Sequence, residues 1–172
     1  MILTGLEIQK QISMDNITIF PFNEKQLNPN SYNLTLHNKL LVYNDHVLDM
    51  KKDNPTKEIY IPKDGYILEP NVLYLGSTNE FVHTDKYLST VEGRSSTARI
   101  GLDVHKTAGF IDIGFAGHIT LEFQVVEPVR VYPNVPICQI IYHEVIGDVT
   151  LYEGKYQNNN GVQASRIYKD FE

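Results

Sequence analysis

His118-Ile119-Thr120-Leu121-Glu122-Phe123-Gln124 alternates at every step: Ile119, Leu121 and Phe123 are apolar, while His118, Thr120, Glu122 and Gln124 are polar. A β-strand sends successive side chains to opposite faces, so the apolar set enters a core and the polar set forms a wall. Glu122 therefore stands on a polar wall built of strands. Two runs precede it. Glu92-Gly93-Arg94-Ser95-Ser96-Thr97-Ala98-Arg99 crowds three hydroxyls and two arginines into the six positions from Arg94 to Arg99. His105-Lys106-Thr107-Ala108-Gly109-Phe110-Ile111-Asp112-Ile113-Gly114-Phe115 carries an acid, Asp112, flanked by glycines.

Outward from this centre the strand theme continues. Asn16 to Phe22, Tyr32 to Tyr43, Ile59 to Ile61, Gly65 to Pro70, Val72 to Leu75 and Lys86 to Val91 are short β-prone pieces. Ile100, Leu102 and Val104 mark one face of another, and Val125 to Val131 and Ile137 to Val145 are the last long ones. Turn residues separate them, as in Asn28-Pro29-Asn30-Ser31. Thr4-Gly5-Leu6-Glu7 fits a capping box, with Leu6, Ile8 and Ile12 as the apolar side of a short helix to about Gln11. The pattern predicts an all-β barrel or sandwich. A βαβ rhythm is absent, which argues against a Rossmann-type sheet.

The 172 residues suit a single domain, 1–172, with enough chain to bury a core. From about Gly154 the chain turns polar, so 154–172 reads as a tail, mobile alone and ordered by a partner or ligand. A net charge of -6 argues against a nucleic-acid partner. Met1-Ile2-Leu3 runs straight into the helix signal, with no basic, apolar leader, and no apolar run approaches a membrane span. The expectation is a cytoplasmic protein without a membrane partner. Cys138, the single cysteine, lies in an apolar run and reads as a buried inert thiol. With one cysteine, no His-x-Glu, and His83, His105, His118 and His143 at no ligand spacing, zinc is not expected. Neither a Walker loop nor a Gly-x-Ser-x-Gly elbow is present.

By residue type alone, Glu122 is a solvated wall carboxylate, Asp112 a turn cap, and Arg94 and Arg99 surface ion-pair partners. His105 reads equally well as a packed strand histidine.

The runs Glu92 to Arg99, Val104 to Phe115 and Gly117 to Phe123 resemble the dCTP deaminase family of the trimeric dUTPase superfamily. The likeness covers nearly the whole chain, is dense from Thr90 to Glu122, and includes the tail pieces Gly154-Lys155-Tyr156-Gln157 and Ala164-Ser165-Arg166. It implies a distorted, jelly-roll-like β-barrel of dUTPase type with a short N-terminal helix and a tail that closes over nucleotide. It implies zinc-independent hydrolytic deamination of dCTP by a homotrimer whose sites lie between subunits, with magnesium arriving on the triphosphate.

In that resemblance Glu122 is the general base that activates water for attack on C4 of cytosine. Ser95 and Arg99 contact phosphate and active-site groups, and Asp112 contacts the deoxyribose and can position water for phosphate chemistry. Arg94, Ser96, Thr97, Ala98, Ala108, Thr120, Leu121, Gln139, Tyr152, Lys155 and Asn159 match substrate-binding positions. Ala108 and Gly109 match the members that run on to dUMP, where Gly109 would leave room for backbone and water near the triphosphate. The alternatives are a dUTPase only and a non-catalytic nucleotide-sensing relative. The chain departs from the family at Asn33 (usually Asp), Ile113 (usually Pro), Pro133-Asn134 (usually Pro-Gly) and Asn159 (usually Gln).

Overall fold

A computed structural model describes residues 1–172. Helix α1 spans Gly5–Ser13, two residues beyond the end the sequence suggested, and the Thr4 hydroxyl accepts from the Glu7 N–H at 3.2 Å. Ile8 is buried, but Leu6 is 79% exposed. Two residues along a helix turn a side chain to the far side, so Leu6 cannot share the inner face of Ile8.

The strands are β1 (Thr18–Phe20), β2 (Tyr32–Thr35), β3 (Lys39–Tyr43), β4 (Thr56–Tyr60), β5 (Tyr66–Leu68), β6 (Tyr74–His83) and β7 (Leu88–Gly93). A single turn, α2 (Ser95–Ala98), precedes β8 (Leu102–Asp103), β9 (Phe110–Ile111), β10 (Ala116–Val125), β11 (Val129–Val131) and β12 (Pro136–His143). One sheet runs β4-β3-β6-β10-β8, with β1 also on β6; a second runs β2-β12-β7-β9; β5 and β11 pair alone. The fold is all-β with a short N-terminal helix. Its sheets are open paths around one shared core, not a single closed ring of hydrogen bonds.

Strand β10 keeps the expected alternation: Ile119, Leu121, Phe123 and Val125 are buried, and the intervening residues are half-buried. Its main partner, β6, was legible only at its start, because Gly76-Ser77-Thr78-Asn79-Glu80 lacks apolar residues. Ser77, Thr78 and Glu80 are nevertheless buried. They tolerate burial because most of their polar atoms are bonded. Glu80 accepts from the Thr35 N–H at 2.8 Å and the Thr35 hydroxyl at 2.7 Å. The Thr78 hydroxyl accepts from the Ile119 N–H at 3.0 Å, where the β6–β10 register shifts.

Two of the departures from the family pattern, Asn33 and Asn134, have local explanations. Asn33 exchanges amide hydrogen bonds with Asn28. Asn134 takes the left-handed turn conformation, φ 62°, that glycine adopts freely. Ile113 is buried, and its carbonyl accepts from the Tyr152 N–H at 2.8 Å.

The tail lies on the body. Gln157 donates to Gly114 O at 2.7 Å, and Asn159 forms a parallel bridge to Gly117. These anchors belong to the chain itself, which the polar composition of the tail did not reveal.

Candidate active site

The outer, polar face of β10 is the floor of a cavity of about 450 Å³. His118, Thr120 and Glu122 project into it at the two-residue spacing of a strand. Ala108, Phe110 and Asp112 line one side, Tyr43 and Leu75 another, and Tyr152, Tyr156, Asn159 and Gln163 close it from the tail. The volume falls within the usual range of small-molecule sites.

Burial pushes the Glu122 carboxyl above its ordinary value, while the backbone N–H of Lys106 and the charge of His105 pull the other way. Burial disfavours a charge and a donor favours it, so the carboxyl can hold and release a proton nearer neutrality. The loop grips the same residue at its backbone, where Val104 O accepts from the Glu122 N–H at 3.0 Å.

Of the residues expected from sequence, Glu122, Asp112, Ala108, Thr120, Tyr152 and Asn159 meet in this cavity. Thr120 accepts from the Gln163 N–H at 3.1 Å, so the strand hydroxyl fastens the tail as well as lining the floor. The Asn159 amide nitrogen donates to His118 O at 2.7 Å and Gly161 O at 3.0 Å, and its buried Oδ1 has no partner.

The other expected residues lie elsewhere. Ser95, Ser96 and Ala98 on α2 and Arg99 just after it are exposed, outside the cavity. Thr97 is buried and its hydroxyl donates to Arg94 O at 2.8 Å. Arg94 donates to Pro136 O at 3.0 Å. Gln139 accepts from the Ser31 hydroxyl at 2.6 Å and donates to Gly93 O at 3.1 Å, so it braces the end of β7 that leads into α2. Leu121 is fully buried in the core and does not line the cavity. Lys155 is paired with Asp170.

Gly109 does not line the cavity, and its missing side chain serves a close approach of two segments of the chain. A Cβ there would lie 2.7 Å from Val91 O and 3.0 Å from the His105 ring. The glycine allows β9 and its loop to close on β7, where the Val91 N–H donates to Gly109 O at 2.7 Å.

Several lining residues had not been singled out. His118 shares the face of Glu122 and was available from the alternation. Tyr43, Phe115 and Tyr156 carry no local signal; Phe115 meets Tyr152 at 6.0 Å between ring centroids.

Residues 2–145 match the family model described as dCTP deaminase-like. A protein of Clostridium beijerinckii named "dCTP deaminase, dUMP-forming" is 62% identical over 100% of this chain and 99% of its own length. Proteins of Clostridium botulinum and Hathewaya histolytica with the same name are 60% and 57% identical over the whole chain. A solved 2'-deoxycytidine 5'-triphosphate deaminase from Agrobacterium tumefaciens superposes with a TM-score of 0.68 at 18% identity. That match covers 84% of this chain and 48% of the solved one, and it speaks for the fold. The fold is all-β, with a half-buried carboxylate on the floor of a cavity of small-molecule size. The chain belongs to the dCTP deaminase-like family.

Proposed function

We propose that this chain deaminates dCTP hydrolytically and carries the product on to dUMP, releasing pyrophosphate. The observation that carries the reading is Glu122, a carboxyl whose proton affinity burial has raised, on the floor of a cavity that also holds Asp112. The names of relatives at 57–62% identity point the same way.

In this mechanism Glu122 takes a proton from water, and the hydroxide adds to C4 of cytosine. Glu122 then returns the proton to the exocyclic nitrogen, the C–N bond breaks, and ammonia leaves. Asp112 orients a second water toward the α-phosphorus, with pyrophosphate as the leaving group. Magnesium enters with the triphosphate, whose oxygens and waters it prefers to an all-protein cage. Resident zinc has no place in this reading: Cys138 is buried, and no three His, Cys, Asp or Glu side chains converge. The substrate is a highly charged nucleotide of the cell interior, so the enzyme acts in the cytoplasm. A homotrimer with shared sites accounts for Ser95 and Arg99, which a neighbouring subunit would bring to the triphosphate.

Two experiments test this. Single-turnover reaction with dCTP, resolved by ion exchange, gives dUMP and pyrophosphate; Asp112→Asn loses dUTP hydrolysis. Accumulated dUTP without pyrophosphate would reduce the protein to a deaminase. Metal analysis finds no stoichiometric zinc, and zinc-specific chelation leaves deamination unchanged. One zinc per chain, with activity lost on its removal, would refute the metal-free base.

A further inference from the structure

Gln157 does not line the cavity, yet its side chain holds two of the segments that do. Its Nε2 donates to Gly114 O at 2.7 Å and to Tyr152 O at 3.1 Å, and its Oε1 accepts from the Ala116 N–H at 2.8 Å. The contacts at Gly114 and Ala116 bracket Phe115. Phe115 is tied in turn to Asp112, whose carbonyl accepts from the Phe115 N–H at 3.2 Å. Asp112, Phe115 and Tyr152 all line the cavity. Gln157 is itself placed by a turn, in which its N–H donates to Gly154 O at 3.0 Å.

The contact set calls for an amide. Two carbonyls need donors and one N–H needs an acceptor, and a primary amide supplies both on one flat group. The same partners fix which end is nitrogen, since the reverse orientation would set oxygen against carbonyls. The packing leaves little slack. Gly114 has φ +90°, and a Cβ there would lie 2.8 Å from Leu151 Cβ and 3.0 Å from Tyr152 N. Other bonds keep the loop folded: the Gly114 N–H donates to Thr84 O and the Tyr152 N–H to Ile113 O, each at 2.8 Å. Loss of the Gln157 amide therefore costs alignment of the loop more than its folding.

Resting on the reading of Asp112 as the residue that orients water toward the α-phosphorus, we propose that Gln157 is the positioning residue for that step. Its amide clamps the Asp112–Ala116 turn to the chain at Tyr152 and so fixes where Asp112 stands in the cavity. Glu122 is held by other means: it lies further along β10, opposite Leu75, and its N–H donates to Val104 O at 3.0 Å. A misplacement of about 1 Å can cost on the order of 100-fold in rate. The effect of Gln157 thus falls on pyrophosphate release and spares deamination.

The clamp is tested first without chemistry. Hydrogen exchange of the full-length chain is followed by mass spectrometry on peptides spanning 112–117, in wild type, Gln157→Met and Gln157→Glu, each checked for native melting. Methionine removes both donors and the amide oxygen; glutamate keeps the acceptor for Ala116 but turns an ionised oxygen on the two carbonyls. Exchange of this segment should quicken by about tenfold or more. Unchanged exchange in both variants overturns the proposal.

The kinetic arm follows single turnovers of dCTP and, separately, of dUTP. Hydrolysis of dUTP should fall by about 10- to 100-fold and deamination of dCTP by less than about threefold, so that dUTP accumulates from dCTP. An equal loss in both steps, the mark of a merely structural residue, overturns the proposal. A wild-type chain that leaves dUTP intact overturns the reading of the second step instead, and the exchange result tells that apart from failure of the clamp. Gln157→Asn, which keeps the amide one methylene short, decides both readouts if the larger changes do not fold.

Discussion

Glu122→Gln lowers kcat for deamination by about 10²- to 10⁴-fold and changes dCTP affinity by less than about tenfold. The amide keeps the shape of the carboxyl, but it cannot take a proton from water. In the wild type, kcat falls as pH drops through the raised pKa of Glu122, because only the ionised form is a base. The same shift has a stability sign. A carboxyl whose folded pKa lies above its unfolded value favours folding fully below the unfolded pKa, and that contribution is lost as pH rises through the folded value. Glu122→Gln removes the cost of holding a buried charge. The variant should therefore melt at the same or a higher temperature than wild type at pH 7.5, the difference shrinking toward pH 4. Near-normal turnover in the purified variant would take Glu122 out of the mechanism; a clearly lower melting temperature at pH 7.5 would mean its ionised form stabilises the fold.

Arg99→Ala abolishes turnover to a comparable extent, roughly a hundredfold or more if the guanidinium meets charge that develops in the reaction. Yet Ser95 on α2 and Arg99 at its end lie exposed, outside the lining of the cavity that holds Glu122. The proposed homotrimer, with each site assembled from neighbouring subunits, would reconcile that expected loss with the position of Arg99. In a cyclic trimer every site then takes Glu122 from one chain and Arg99 from the next. Refolding equal amounts of Glu122→Gln and Arg99→Ala chains together should restore about one quarter of the sites, since each site draws its two residues independently. No recovery in mixed oligomers, or a monomer by light scattering at micromolar concentration, would overturn the shared site.

The alternation from His118 to Gln124 determined by itself that β10 is a strand and that Glu122 faces away from the core. Period-two burial is a local property, readable wherever one face is apolar and the other polar. Thr4 and Glu7 marked the start of α1 for the same reason, since capping acts within four residues. The resemblance supplied the roles of Ser95, Arg99, Asp112 and Glu122, which spacing alone did not separate from surface charges. Three matters were decided only by the tertiary structure. The middle of β6 is a core strand because Thr35 and Ile119, distant in sequence, bond its buried polar residues. Gly109 is needed because β7 passes within contact distance of it. Tyr43, Asp112, Glu122 and Asn159 form one cavity because β3, the 108–112 loop, β10 and the tail converge there. Each depends on contacts between segments tens of residues apart, and such contacts leave no periodic trace in either segment.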